Sequence, residues 1–99
     1  MTIERTTEKG SLVLALYGEL TANTAEALNT AIETALNETN SLILDFTDME
    51  YVASAGLRIL LKAKKALNEK KGKFFIRNVS DDVMNVFDIT GFSDILDFL

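Results

Sequence analysis

The segment Tyr51 Val52 Ala53 Ser54 Ala55 Gly56 Leu57 holds the residue types best suited to chemistry in this chain. Small residues stand between a run that reads as a buried strand and a run with helical spacing. Ser54 is therefore expected, exposed, at a helix N-terminus. Unpaired backbone N–H groups and the positive end of the helix dipole favour an anion there, and Arg58 follows one turn later. That combination suits a phosphoryl group on the Ser54 hydroxyl. A phosphate brings about −1.5 to −2 charges to a patch that already holds Asp48 and Glu50, enough to repel or reposition a docked partner.

The same spacing has a purely structural reading. Serine is a preferred N-cap, and Ser80, followed by Asp81 and Asp82, repeats the pattern ahead of another helical run. The residues alone do not separate a regulated serine from a capping one. Arg58, Lys62, Lys64 and Lys65 read either as a solvated helix face or as a binding stripe. Asp45, Asp48 and Glu50 contain the right donors for a hard cation, but alternating acids are common in loops and no metal site is expected. The chain has no Cys and no His. That removes thiol nucleophiles, Cys-ligated zinc, the commonest general base and the His-activated serine. Neither a Walker pattern nor a spaced glycine fingerprint is present. Binding of another protein is expected, not catalysis, and no cofactor.

Around these residues the chain reads as one small α/β domain. Its 99 residues, 47% apolar and 25% charged, suit a single modest core. The start, Met1 Thr2 Ile3 Glu4 Arg5, lacks the pattern of a secretory signal, and no apolar run is long enough to span a bilayer. A cytoplasmic protein without membrane insertion is expected. A net charge of −5 argues against nucleic acid as a partner. Positive charge is nevertheless gathered, with seven of the ten basic residues between Arg58 and Lys73.

Strands are expected at Ile3 to Thr7 and Ser11 to Tyr17, joined by a turn at Glu8 Lys9 Gly10 and ended by Gly18. Ala25, Leu28, Ile32, Ala35 and Leu36 recur at helical spacing, which predicts a helix over about Ala22 to Asn37, capped by Thr21 or Thr24. Ser41 to Phe46 reads as a central strand buried on both faces, followed by a polar loop at Thr47 to Glu50 that leaves Met49 and Tyr51 half-buried. A second helix from Ser54 to Lys71 ends at Gly72, and Lys73 to Arg77 forms the next strand. Ser80 caps a third helix with Val83, Val86 and Phe87 inward and Gly91 at its end. The apolar residues from Ile95 to Leu99 pack back onto the sheet or helices. The fold class is thus a mixed β-sheet with a parallel βαβ core and three main helices.

Three segments, in this order, resemble the STAS family, specifically the stand-alone anti-sigma-factor antagonists of bacteria. Gly18 Glu19 Leu20 is similar to the family's Gly-Glu-Leu/Ile-Asp signature. Leu42 to Leu57 resembles the segment ending in Asp-Ser-Ser/Thr/Ala-Gly-Leu, and Val86 Phe87 Asp88 Ile89 Thr90 Gly91 Phe92 resembles the family's Leu-Phe-Asp segment. The resemblance implies a partner switch. The dephosphorylated antagonist binds an anti-sigma factor that is also a serine kinase, and so frees a sigma factor. Phosphorylation ends that complex, and a metal-dependent serine phosphatase restores the binding form. ATP and magnesium then belong to the partners. On this resemblance Ser54 is the phosphoacceptor, and the docking face comprises Thr21, Asn23, Thr24, Met49, Tyr51, Ala53, Ser54, Ala55, Gly56 and Arg58. Ala53 and Thr21 stand where the family usually has Asp. The alternative is a constitutive STAS module within a transport or signalling complex, in which Ser54 only caps its helix.

Overall fold

The computed structural model describes all 99 residues, Met1–Leu99. Strand β1 (Thr2–Glu8) turns at Lys9 and Gly10 into β2 (Ser11–Leu20), and helix α1 (Ala25–Leu36) crosses over to β3 (Ser41–Val52). Helix α2 (Ser54–Glu69) crosses to β4 (Lys73–Arg77), and helix α3 (Asp81–Thr90) is followed by a single 3-10 turn at Phe92–Asp94. The sheet order is β1-β2-β3-β4. β1 and β2 are antiparallel, and β2, β3 and β4 are parallel. The expected mixed sheet with a parallel βαβ core and three helices is therefore what forms. The tail closes on the sheet edge, where Ile76 donates its N–H to Asp97 and accepts from Leu99 N–H, each at 3.0 Å.

The core lies on one face of the sheet. Leu12, Leu14 and Leu16 of β2, Leu42, Leu44 and Phe46 of β3, and Phe74 and Ile76 of β4 meet Leu28 and Ile32 of α1, Leu57, Leu60 and Leu67 of α2, and Val83 and Phe87 of α3. The central strand is not sandwiched between helix layers as its apolar run implies. Val13 and Ile43, at the alternate positions, are buried outside that cluster. Across the sheet, Arg77 of β4 reaches Glu8 of β1 at 2.6 Å.

β3 runs six residues further than its apolar composition suggests, and β2 runs past Gly18 to Leu20. The segment Thr47 to Glu50 is not a loop: Tyr17 pairs with Asp48, Gly18 with Met49, Glu19 with Tyr51 and Leu20 with Val52. The register shifts between Ala15 and Tyr17, and again between Gly18 and Glu19, give β3 an extra residue each time. Gly18, at φ +106°, supplies backbone that a side chain rarely adopts at the second shift. β4 ends at Arg77, opposite Asp45. Beyond that point β3 has a single neighbour, so polar outward residues sit comfortably in a strand.

Asp45 secures the departure point. Its carboxylate accepts from the Thr47 N–H (2.9 Å) and hydroxyl (2.6 Å), from Arg77 Nε (3.0 Å) and from Asn78 Nδ2 (3.2 Å). Burial alone would raise its pKa, but these donors prevail and hold the carboxyl down to about 2.

α2 ends two residues earlier than its spacing predicts. Lys71 N–H donates to Asn68 O (3.0 Å) and Gly72 N–H to Leu67 O (2.7 Å), the paired bonds of a Schellman closure. The left-handed residue is Lys71 (φ 57°), not Gly72. Gly72 is needed for a different reason, because a Cβ there would lie 2.4 Å from the Asn40 carbonyl oxygen.

Candidate functional site

The parallel ends of β2 and β3 bring the site together. The last pair is Leu20 with Val52, and Ala53 N–H donates to Leu20 O at 2.8 Å. The turn Thr21 to Thr24, which follows β2, thus lies beside Ala53 and the first turn of α2, which follow β3. α1 begins at Ala25, not Ala22, because the intervening residues form a closed turn: Ala25 N–H donates to Thr21 O at 2.8 Å. Neither threonine side chain caps α1. Thr24 occupies the N-cap position, but its hydroxyl accepts from Thr21 N–H (2.8 Å) and donates to Glu19 O (2.7 Å), fixing the turn to the end of β2.

Gly56 sets how close α2 comes to the sheet. A Cβ at this position would lie 2.4 Å from Leu20 Cγ and 2.6 Å from Leu20 Cδ2, and Leu20 is fully buried. Met49 and Gly56 are both buried, so they lie beneath the expected docking face and not on it. Met49 is a core strand residue, not the half-buried loop residue its polar neighbours suggest. Ala53, Ala55, Thr21 and Thr24 are partly exposed, whereas Asn23, Tyr51, Ser54 and Arg58 are exposed. Tyr51, half exposed, stands just past the extra residue of the second register shift, the kind of irregularity that re-aims a side chain at a strand end.

The capping interpretation of Ser54 does not hold. The N-cap of α2 is Ala53, with extended backbone (φ −99°, ψ 170°), and no side chain caps this helix. Ser54 is the first helical residue. Ser80, in contrast, is the N-cap of α3, and its Oγ accepts from Val83 N–H at 3.2 Å. The two serines that look alike in sequence therefore differ physically. Ser80→Ala is expected to lose about 1 kcal/mol of stability and Ser54→Ala less than about 0.5 kcal/mol. Urea midpoints of the two variants measure this, and equal losses would restore the cap role to Ser54.

No cluster of three or more His, Asp or Glu side chains is arranged to hold a metal ion, and no helix is long and apolar enough to cross a membrane. The structure is a single-sheet α/β module that exposes a serine on the first turn of the helix after its longest strand, flanked by the turn from the neighbouring strand. A family model for the STAS domain matches residues 2–98. The chain belongs to the STAS domain family.

The chain is 33% identical over 95 residues to the anti-sigma-B factor antagonist of Listeria monocytogenes, covering 95% of this chain and 82% of that protein. An anti-sigma factor antagonist from Mycobacterium paratuberculosis has a similar structure, with a TM-score of 0.89 at 24% identity over 98% of this chain and 83% of that one. The anti-sigma factor antagonist SpoIIAA in its unphosphorylated form gives a TM-score of 0.82 at 22% identity, over 99% of this chain and 88% of that one. SpoIIAA in its phosphorylated form, from Bacillus, is also similar, with a TM-score of 0.75 at 21% identity over 99% and 91% of the two chains.

Proposed function

We propose that this chain is an anti-sigma-factor antagonist whose binding is switched at Ser54. The observation that carries this reading is the position of Ser54: exposed, on the first turn of α2, next to the Ala53–Leu20 bond that joins this helix start to the end of β2, and free of any capping duty. The anti-sigma-B factor antagonists among its relatives supply the partner class. In this reading the unmodified surface binds an anti-sigma factor that is also a serine kinase. Phosphorylation of Ser54 ends the complex, and a metal-dependent serine phosphatase reverses it.

Ala53 gives the switch a particular electrostatic character. With no side-chain cap and no acid in its first turn, the N-terminus of α2 carries its dipole unneutralised. A phosphate on Ser54 meets that positive end and Arg58 one turn on, so it is stabilised where it forms. The same placement makes Ser54→Asp a folded variant, as stable as the parent or up to about 1 kcal/mol more stable. Any loss of binding in that variant is then a surface effect.

The test is affinity capture from the source cell's lysate with wild-type, Ser54→Ala and Ser54→Asp proteins as baits, followed by mass spectrometry. An ATP-binding anti-sigma factor should come down with the first two and be depleted at least about tenfold with the third, the change that a loss of about 1.4 kcal/mol produces. Equal capture of one complex by all three would instead identify a constitutive module, the reading that Ala53 favours.

A further inference from the structure

The basic residues gathered between 58 and 73 are not equivalent in the folded chain. Lys64 Nζ meets Asp97 Oδ2 at 2.5 Å and is largely covered. Lys70 Nζ is bonded to the Leu36 carbonyl at the end of α1, where a cation complements the helix dipole. These two cations hold the tail and α1 in place. Arg58, Lys62 and Lys65 do something else. At 3.6 residues per turn they share one outer stripe of α2 headed by Ser54, and they line a shallow groove of about 400 Å³ with Leu61, Ala66 and Glu69.

This stripe is unfavourable for α2 itself. Arg58 and Lys62 are four residues apart and Lys62 and Lys65 three apart, so each of these pairs repels, and Glu69, four residues past Lys65, is the one acid of α2 beside the stripe. The acid nearest to the stripe from another element is Glu33 of α1, 3.8 Å from Lys62, with both side chains more than half exposed. Acids are plentiful elsewhere. Residues 58 to 73 carry seven basic residues against Glu69 alone, whereas the rest of the chain carries three basic residues against fourteen acids. A face selected only for solubility would draw on that excess and interleave the signs.

We infer that the outer stripe of α2, Arg58–Lys62–Lys65, is a docking surface for an acidic face of the protein partner, continuous with the surface at Ser54. This rests on the partner switch proposed above and extends it. The first contact is made along α2 by charge, and the Ser54 end decides whether the complex persists. Charges at the margin of an interface act mainly on encounter, so their signature is in the association rate and its dependence on salt. A phosphate at the head of the stripe cancels half or more of its three charges, so the switch slows encounter as well as weakening the complex.

The experiment is stopped-flow association with the anti-sigma factor captured by the Ser54→Ala bait, at low and high salt. Lys62→Glu combined with Lys65→Glu should slow association about tenfold at low salt and flatten its salt dependence. Lys9→Glu combined with Lys73→Glu makes the same change in net charge at the opposite end of the sheet and should leave the rate within about twofold. Circular dichroism of both double variants confirms that they are folded. If both slow association equally, net charge and not the stripe is responsible, and the inference fails. If neither does while Ser54→Asp still loses binding, the stripe is overturned and the switch stands. If Ser54→Ala captures no anti-sigma factor, both fall. Tight association with a second copy or with anionic vesicles, abolished by the α2 pair of substitutions alone, would also overturn it by naming a different occupant.

Discussion

Gly56→Val should lower the stability of the domain by about 3 kcal/mol or more, with Gly56→Ala intermediate at about 1 to 2 kcal/mol. Gly56 lies inside a helix, where alanine or valine has the better helix propensity, so a loss of stability in either variant must come from packing. The obstacle is Leu20, whose Cγ would be 2.4 Å from the new Cβ and whose side chain is fully buried at the end of β2. Either Leu20 leaves its place among the core residues or the first turn of α2 lifts away from the sheet. Both movements displace Ser54 relative to Thr21 and Asn23, so binding should fall with stability. A double-mutant cycle checks the mechanism. Leu20→Ala alone opens a cavity and costs about 2 to 5 kcal/mol. Gly56→Ala added to it fills part of that space and should be neutral or stabilising. If the two losses simply add, close approach to Leu20 is not why glycine is needed.

The second large effect is acid sensitivity centred on Asp45. Its carboxyl titrates near 2 in the folded chain against an ordinary value of 3.8. A group with a depressed folded pKa adds stability above its unfolded pKa and loses it as pH falls through the folded value. Asp45 should therefore contribute about 2 kcal/mol at pH 7, lost progressively between about pH 5 and pH 2. Glu8 is also held below the usual carboxylate range by the Arg77 guanidinium, so its titration overlaps in the same window. Asp45→Asn separates the two. It should cost about 2 to 3 kcal/mol at pH 7, because Arg77 loses a charge-assisted partner. The difference from wild type should then shrink as pH falls. Urea unfolding at pH 7, 4 and 2.5 measures this. Parallel decline of the two proteins would place the sensitivity elsewhere.

Much of the architecture was legible because the sequence obeys simple periods where the sheet is regular. Leu12, Leu14 and Leu16 alternate along β2, and the inner face of α1 repeats at helical spacing. Legibility ended where the period changed. Phe46, Met49 and Val52 are all buried yet lie three residues apart, because each register shift gives β3 one residue more than β2. Neither strand nor helix spacing describes that pattern, and the polar residues between them read as a loop. The helix ends were obscured for a related reason: composition marks Gly72 as the left-handed residue, but Lys71 adopts that conformation and Gly72 makes room for a carbonyl. Ser54 and Ser80 present the same local chemistry, and only the backbone shows which of them starts one residue inside its helix. Glu8 and Arg77 pair across 69 positions of the sequence and leave no local signal.

That one-residue offset at Ser54 bears on how such a domain can change over evolutionary time. A serine that capped its helix would tie regulation to folding, and losing the first would weaken the second. With the helix start set by Ala53 and the spacing to β2 set by Gly56, position 54 carries no structural obligation. Under the proposed switch, responsiveness at this residue can be acquired, lost or tuned while the scaffold stays the same, and a permanently binding version lies one substitution away.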